Sequence, residues 1–221
     1  MPDKAPPAYD LRARCDALPV FPLPRMVFIP HTLLPLHIFE PRYRALVRDA
    51  LDADGLMGVP MLAPGWRDEY DSSPALHPVM GVGRIVRHQS LPDGCSNIVL
   101  LGLGRARVLG ERDTDVAYRV VHAELLEDPT PAPGALAQAA LRLRVAVGQL
   151  ARARPESADQ LSPLLEPDRP PGQVADALAH LALRDPLERQ SYLELPGPVS
   201  RIDRAIEAIS GMLFHGAAPT A

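Results

Sequence analysis

Between Glu127 and Gly134 the chain reads EDPTPAPG, and its hydrophobic pattern differs on the two sides of this stretch. Proline fixes φ and has no N–H to donate, so a run of this kind propagates neither a helix nor a strand. From Leu18 to about Leu126, short apolar runs are broken by Gly, Pro and Asp, and residues 96–109 and 116–126 carry the β-branched side chains that strands favour. Beyond Gly134 the spacing becomes helical. Leu136, Ala140, Leu143, Val147 and Leu150 share one face, Val174, Leu178 and Leu181 form a second stripe, and Ile202, Ile206, Ile209 and Leu213 a third. Strands collected before a break and helices after it indicate the α+β class. The expected organisation is a loose leader over 1–17, a β-rich lobe over 18–128 and a helical bundle over 134–215.

Within the β-rich part, Leu91-Pro92-Asp93-Gly94 separates two strand-like stretches, 78–91 and 96–109, and supplies a glycine for positive φ. A β-hairpin is expected there. One helix interrupts the strands: Pro41 suits a first helical position, and Tyr43, Leu46, Val47, Ala50 and Leu51 recur at helical spacing until Asp54-Gly55. Such a helix would plug or cover an open sheet or barrel. Further helix starts are marked by Asp185 before Pro186 and by Ser200-x-x-Asp203 after Pro198.

Several chemistries are excluded by residue type. Of 23 basic residues, 22 are Arg, and Lys4 is the single lysine. A phosphate-binding loop and a Ser-Lys dyad both need a well-placed lysine, so neither is available. Cys15 and Cys95 lie 80 residues apart without close Cys or His partners, and the seven histidines form no H-x-H or H-x-x-x-H pair. Neither a disulfide framework, a metal site nor a cofactor is expected. The N-terminus mixes charges and prolines where a signal peptide needs an apolar core, and the longest charge-free runs are 14 residues, too short to span a bilayer. These features describe a soluble, cytoplasmic protein with free thiols.

Gly81-Val82-Gly83-Arg84 and Gly102-Leu103-Gly104-Arg105 look like phosphate loops, but no third glycine or helix follows. They read as bends, bulges or close backbone approaches in a curved sheet. Ser96 reads as a turn residue, and Cys95 in the same turn as an exposed thiol. Asp68, Glu69 and Asp71 read as an acidic surface loop beside Trp66 and Tyr70. Trp66, the one tryptophan, sits in a Gly/Pro/Asp-rich loop, where it either anchors a partner or caps the core.

The run Leu18-Pro19-Val20-Phe21-Pro22-Leu23, followed by Pro30-His31-Thr32-Leu33-Leu34-Pro35-Leu36-His37-Ile38-Phe39-Glu40-Pro41-Arg42-Tyr43, closely resembles the opening of the N-terminal substrate-recognition domain of ATP-dependent Lon proteases. The likeness continues through Gly83-Arg84-Ile85, Leu91 to Gly94, Asn97 to Leu100 and Gly102 to Val108, and more weakly through the helical part to about residue 213. It implies a PUA-like β pseudo-barrel lobe followed by a helical bundle, the two forming one unit. It also implies capture of unfolded or degron-bearing polypeptides for an ATPase and a protease.

No position of this sequence matches that family's Walker A loop or Ser-Lys dyad. The expectation is therefore a stand-alone, non-catalytic binding module, acting by itself or beside a separate ATP-dependent protease. Its expected partners are unfolded or partly folded polypeptides, with no membrane. The candidate contact residues are Met26, Phe28, Trp66 and Tyr70. The alternative is an RNA-binding PUA-like module, for which Arg84, Arg87, Arg105 and Arg107 would have to gather on one sheet region. A net charge of −4 argues against a strong phosphate footprint.

Overall fold

In the computed structural model, which describes residues 10–67 and 73–215, the elements follow in the order α1 (Leu11–Arg14), β1 (Leu18–Pro19), β2 (Leu33–Ile38), α2 (Pro41–Asp52), β3 (Leu56–Val59), β4 (Val79–Ser90), β5 (Ser96–Arg112) and β6 (Val120–Leu125). Five helices come after the proline-rich stretch: α3 (Ala135–Ala153), α4 (Ala158–Leu161), α5 (Pro171–Ala182), α6 (Pro186–Glu194) and α7 (Gly197–His215).

The expected hairpin is β4 and β5, paired antiparallel from Ser90↔Ser96 to Val79↔Arg107, with Gly94 at φ 78° in the turn. β5 organises the sheet. One edge pairs with β4 over residues 96–107; the other is shared by β2 over residues 96–101 and by β6 over 106–112. β3 extends the sheet beyond β4, and β1 extends it beyond β6. The chain leaving β1 then runs beside β3 through the parallel bridges Val20↔Gly58 and Leu23↔Met61. The sheet therefore closes on itself as a pseudo-barrel, which leaves fewer strand edges exposed.

The helix interrupting the strands seats Tyr43, Leu46, Val47 and Ala50 against Phe21, Phe28, Ile38, Ile85, Ile98 and Leu100 in one core. α2 thus plugs the barrel, as its apolar periodicity indicates. The paired glycines are used for close approach: at Gly81 an added Cβ would collide with the Phe28 carbonyl, and at Gly83 with the Phe28 ring and the Leu101 carbonyl. The segment Val27–Ile29 lies directly on β4, which is possible only where side chains are missing.

The bundle does not stand apart. Val27, Ile29, Met61 and Val79 of the strand-rich part belong to the same hydrophobic cluster as Leu143, Val147, Leu178, Tyr192, Ile202 and Ile209. Polar contacts cross the same junction. Arg105 of β5 donates to the Leu193 and Leu195 carbonyls, each at 2.7 Å, and to Asp128 at 2.7 Å. Arg201 of α7 grips both oxygens of Asp128, at 2.9 and 2.7 Å. Asp176 of α5 is fully buried, accepts from the Tyr192 hydroxyl at 2.7 Å, and lies 2.9 Å from Nδ1 of His31.

Three expectations need correction. The leader is not loose from Asp10 onward: the Asp10 carboxylate caps α1 through the Arg12 and Ala13 amides, and Cys15 is buried at 2% exposure beside Leu18. α7 begins at Gly197 rather than at Ser200, because Pro198 fits its first turn. The strand expected over 116–126 is confined to Val120–Leu125.

Two measurements test this account. Phe28→Ala should lower unfolding free energy by about 3–5 kcal/mol, since the ring is core and its removal leaves a cavity under the glycines; urea denaturation reads this directly. The second concerns Asp128, whose carboxyl is held below its ordinary range by the Arg201 hydrogen bonds and the Arg201 and Arg105 charges, against desolvation. A depressed folded-state value contributes stability above the unfolded pKa of about 3.9 and loses it as pH falls through the folded value. Asp128→Asn should therefore be less stable than the parent near neutrality, and the gap should narrow below pH ~4.

Candidate functional site

Trp66 borders a cavity of about 190 Å³ where the two parts of the molecule meet. Its floor is Met61 and Leu62, 3% and 6% exposed, just beyond β3. Backbone bonds fix this floor on both sides: Leu62 N–H donates to Leu23, Ala63 N–H to Ala75, and His77 N–H to Met61. The opposite wall is Pro186 and Leu187 in the first turn of α6. Asp185 sets that turn, accepting from the Leu187 and Glu188 amides at 2.8 and 3.1 Å.

Leu187 is 56% exposed, large for an aliphatic side chain, and faces this opening rather than a closed core. Trp66 is half-buried, with the Arg67 guanidinium carbon 5.1 Å from its ring centroid, a cation–π distance. Arg25, exposed and in the left-handed region at φ 57°, supplies a positive charge to the lining. The Nε2 atom of His77 is buried and has no hydrogen-bond partner among the described residues.

The four candidates from the sequence separate. Trp66 lines the cavity. Met26 is partly buried against the barrel core, so it contributes packing before contact. Phe28 is only 1% exposed and is withdrawn as a contact residue, because its ring fills the space above Gly83. Tyr70 lies outside the described residues, as do Asp68, Glu69 and Asp71. Leu187, Met61 and Pro186 were not foreseen as site residues; Leu187 follows a marked helix start, but only the fold brings that start to Trp66.

Neither Ser nor Cys lines this cavity. Cys95 is pushed up from its ordinary thiol value by desolvation, then by its hydrogen bond to Asp93, and burial does the same to Cys15. Neither is an activated thiolate. Among the described residues, no group of three or more His, Cys, Asp or Glu is placed to hold a metal ion. No described helix is long and apolar enough to cross a membrane. The arginine set required for RNA does not assemble either. Arg105 is 5% exposed and spent on carbonyls and Asp128, leaving Arg84, Arg87 and Arg107 without it.

Comparison with known proteins points to one family. The model of the ATP-dependent protease La (LON) substrate-binding domain matches residues 17–211. The Lon protease of Paraburkholderia phytofirmans is 25% identical over 213 residues, covering 94% of this chain and 26% of its own length. Lon protease 2 of Syntrophobacter fumaroxidans is 30% identical over 185 residues, covering 82% of this chain and 22% of its own length. The chain thus spans about a quarter of the relatives it matches. Among solved structures, the N-terminal domain of a Mycobacterium avium complex Lon protease superposes with a TM-score of 0.66 at 15% identity, over 88% of this chain and 98% of that one. A Lon N-terminal domain protein from Xanthomonas campestris gives 0.61 at 25% identity, over 86% and 97%.

Proposed function

The chain belongs to the ATP-dependent protease La (LON) substrate-binding domain family, and from that premise we propose that it captures unfolded or degron-bearing polypeptides and performs no catalysis itself. The observation that carries this reading is the Trp66 cavity. Its lining is mostly apolar, its walls come from both the strand-rich and the helical part, and its 190 Å³ volume is that of one large side chain. A small-molecule site more often encloses ~300–1,000 Å³.

An unfolded chain differs from a folded one in offering its large apolar side chains. A shallow pocket with a half-buried tryptophan and an exposed leucine selects on that property alone. Residues 18–128 and 134–215 act in this reading as one recognition unit, because neither forms the cavity without the other. The module works in the cytoplasm, by itself or delivering its cargo to a separate ATP-dependent protease.

Fluorescence anisotropy with a labelled, chemically unfolded casein tests the proposal. The parent protein should bind it above an inert control protein, and Trp66→Ala should weaken binding by roughly tenfold or more, the usual effect of truncating a central aromatic contact. Binding no greater than the control, or unchanged in the variant, would refute the assignment.

A further inference from the structure

A second opening lies between the outward face of α2 and the β4–β5 turn, a groove of about 640 Å³. Its character is cationic. Arg44 and Arg48 stand one helical turn apart on α2, and His88 faces them from β4, against a single lining carboxylate, Asp52. Arg48 is held by its neighbour Asp49 at 3.0 Å, and Arg42, on the preceding part of the helix, by Glu40. The Arg44 backbone N–H donates to the Glu40 carbonyl at 2.9 Å, but its guanidinium forms no hydrogen bond or ion pair with any described residue.

Arg44 is nevertheless placed. Its guanidinium lies over Gly94, where an added methyl group would collide with Nη2. Gly94 is kept bare by its turn, whose φ of 78° favours glycine. The acidic residue of that turn, Asp93, is engaged within it: its carboxylate accepts from the Cys95 amide at 2.9 Å and from the Cys95 thiol. A cation is thus set over an open groove while the nearest turn carboxylate is occupied. Beside it, Leu51 is 40% exposed and offers apolar contact to whatever flanks the bound charge.

We propose that this groove takes a carboxylate side chain of an extended polypeptide, with Arg44 as the anchor, so that acidic segments are preferred among unfolded chains. A guanidinium without a partner matches a carboxylate in charge and in planar two-point geometry. The inference rests on the polypeptide-binding reading and adds a substrate preference at a separate place in the fold.

Two fluorescein-labelled peptides test it, identical and carrying the same aromatic residue, except that one has Glu where the other has Gln. The parent protein should bind the Glu peptide at least fivefold more tightly at ~50 mM salt, with the ratio falling toward unity at ~500 mM as the charges are screened. Arg44→Gln and the double variant Arg44→Gln/Arg48→Gln should lose the ratio while keeping the affinity for the Gln peptide and the unfolding midpoint. Equal binding of both peptides by the parent, or a ratio that survives in the double variant, overturns the acidic preference and leaves the Trp66 reading standing. Binding of neither peptide overturns both.

Discussion

Asp176 has no exposed surface, yet three side chains from three parts of the chain converge on its carboxylate: His31 from the loop before β2, Tyr192 from α6, and Arg201 from α7 with Nε 3.4 Å away. An isolated buried charge is prohibitively costly, so this position is tolerable only with all its partners in place. Arg201 links it to Asp128, Asp128 to Arg105, and Arg105 to the carbonyls that end α6. Two guanidiniums and two carboxylates thus neutralise one another across the junction. Burial works against the Arg201 charge, but the Asp128 hydrogen bonds and both carboxylates outweigh it and raise its pKa. The network pairs charges of the barrel with charges of the bundle, a directional contact that adds to the apolar packing of Val79 and Ile29 against the bundle.

That geometry has consequences on both sides. His31 occupies the left-handed region at φ 60° and its N–H donates to Gly102 at 3.0 Å, so the same residue ties the crossing segment to β5 and to α5. A positive φ is uncommon for a non-glycine residue but several-fold enriched for His, whose side chain here finds a buried acceptor. Two and three residues earlier in the chain, Ile29 and Phe28 lie on the glycine track of β5 and β4. The barrel's glycines and the bundle's buried aspartate therefore constrain one short stretch of chain.

Much of this fold was legible because it is written locally. The Gly94 turn, the apolar period of α2 and the Asp185-Pro186 start each depend on residues within one or two turns of themselves, and the change in pattern at Glu127 separates strand from helix. What depends on distant residues was not legible. Arg105 reads as a strand arginine like Arg107, and nothing near it in sequence says that Asp128 and the α6 carbonyls will bury it. Met26-Val27-Phe28-Ile29 reads as an apolar segment more readily placed in the core than on the surface; the deciding fact is the absence of side chains at Gly81 and Gly83, more than fifty residues away. Of the candidate contacts, Trp66 stood out by rarity and loop context, whereas Leu187 acquires its role only where α6 meets the loop after β3.

The Trp66 cavity is tied to the junction on both of its sides. Its floor is anchored in the barrel through Leu23 and Ala75, and its far wall in α6, whose Gln190 side chain donates to the Val79 carbonyl at 2.8 Å. The end of the same helix is clasped by Arg105. Because floor and wall are fixed to one another before any ligand arrives, little ordering is required on binding, and modest apolar contact is enough for a recognisable affinity. In the proposed function, a module that accepts many sequences cannot rely on close complementarity to any one of them. Under the proposed function it would rely instead on a preformed pocket whose shape is held by charges the ligand never touches, and the buried ion network, remote from the surface, would then serve recognition as well as the fold.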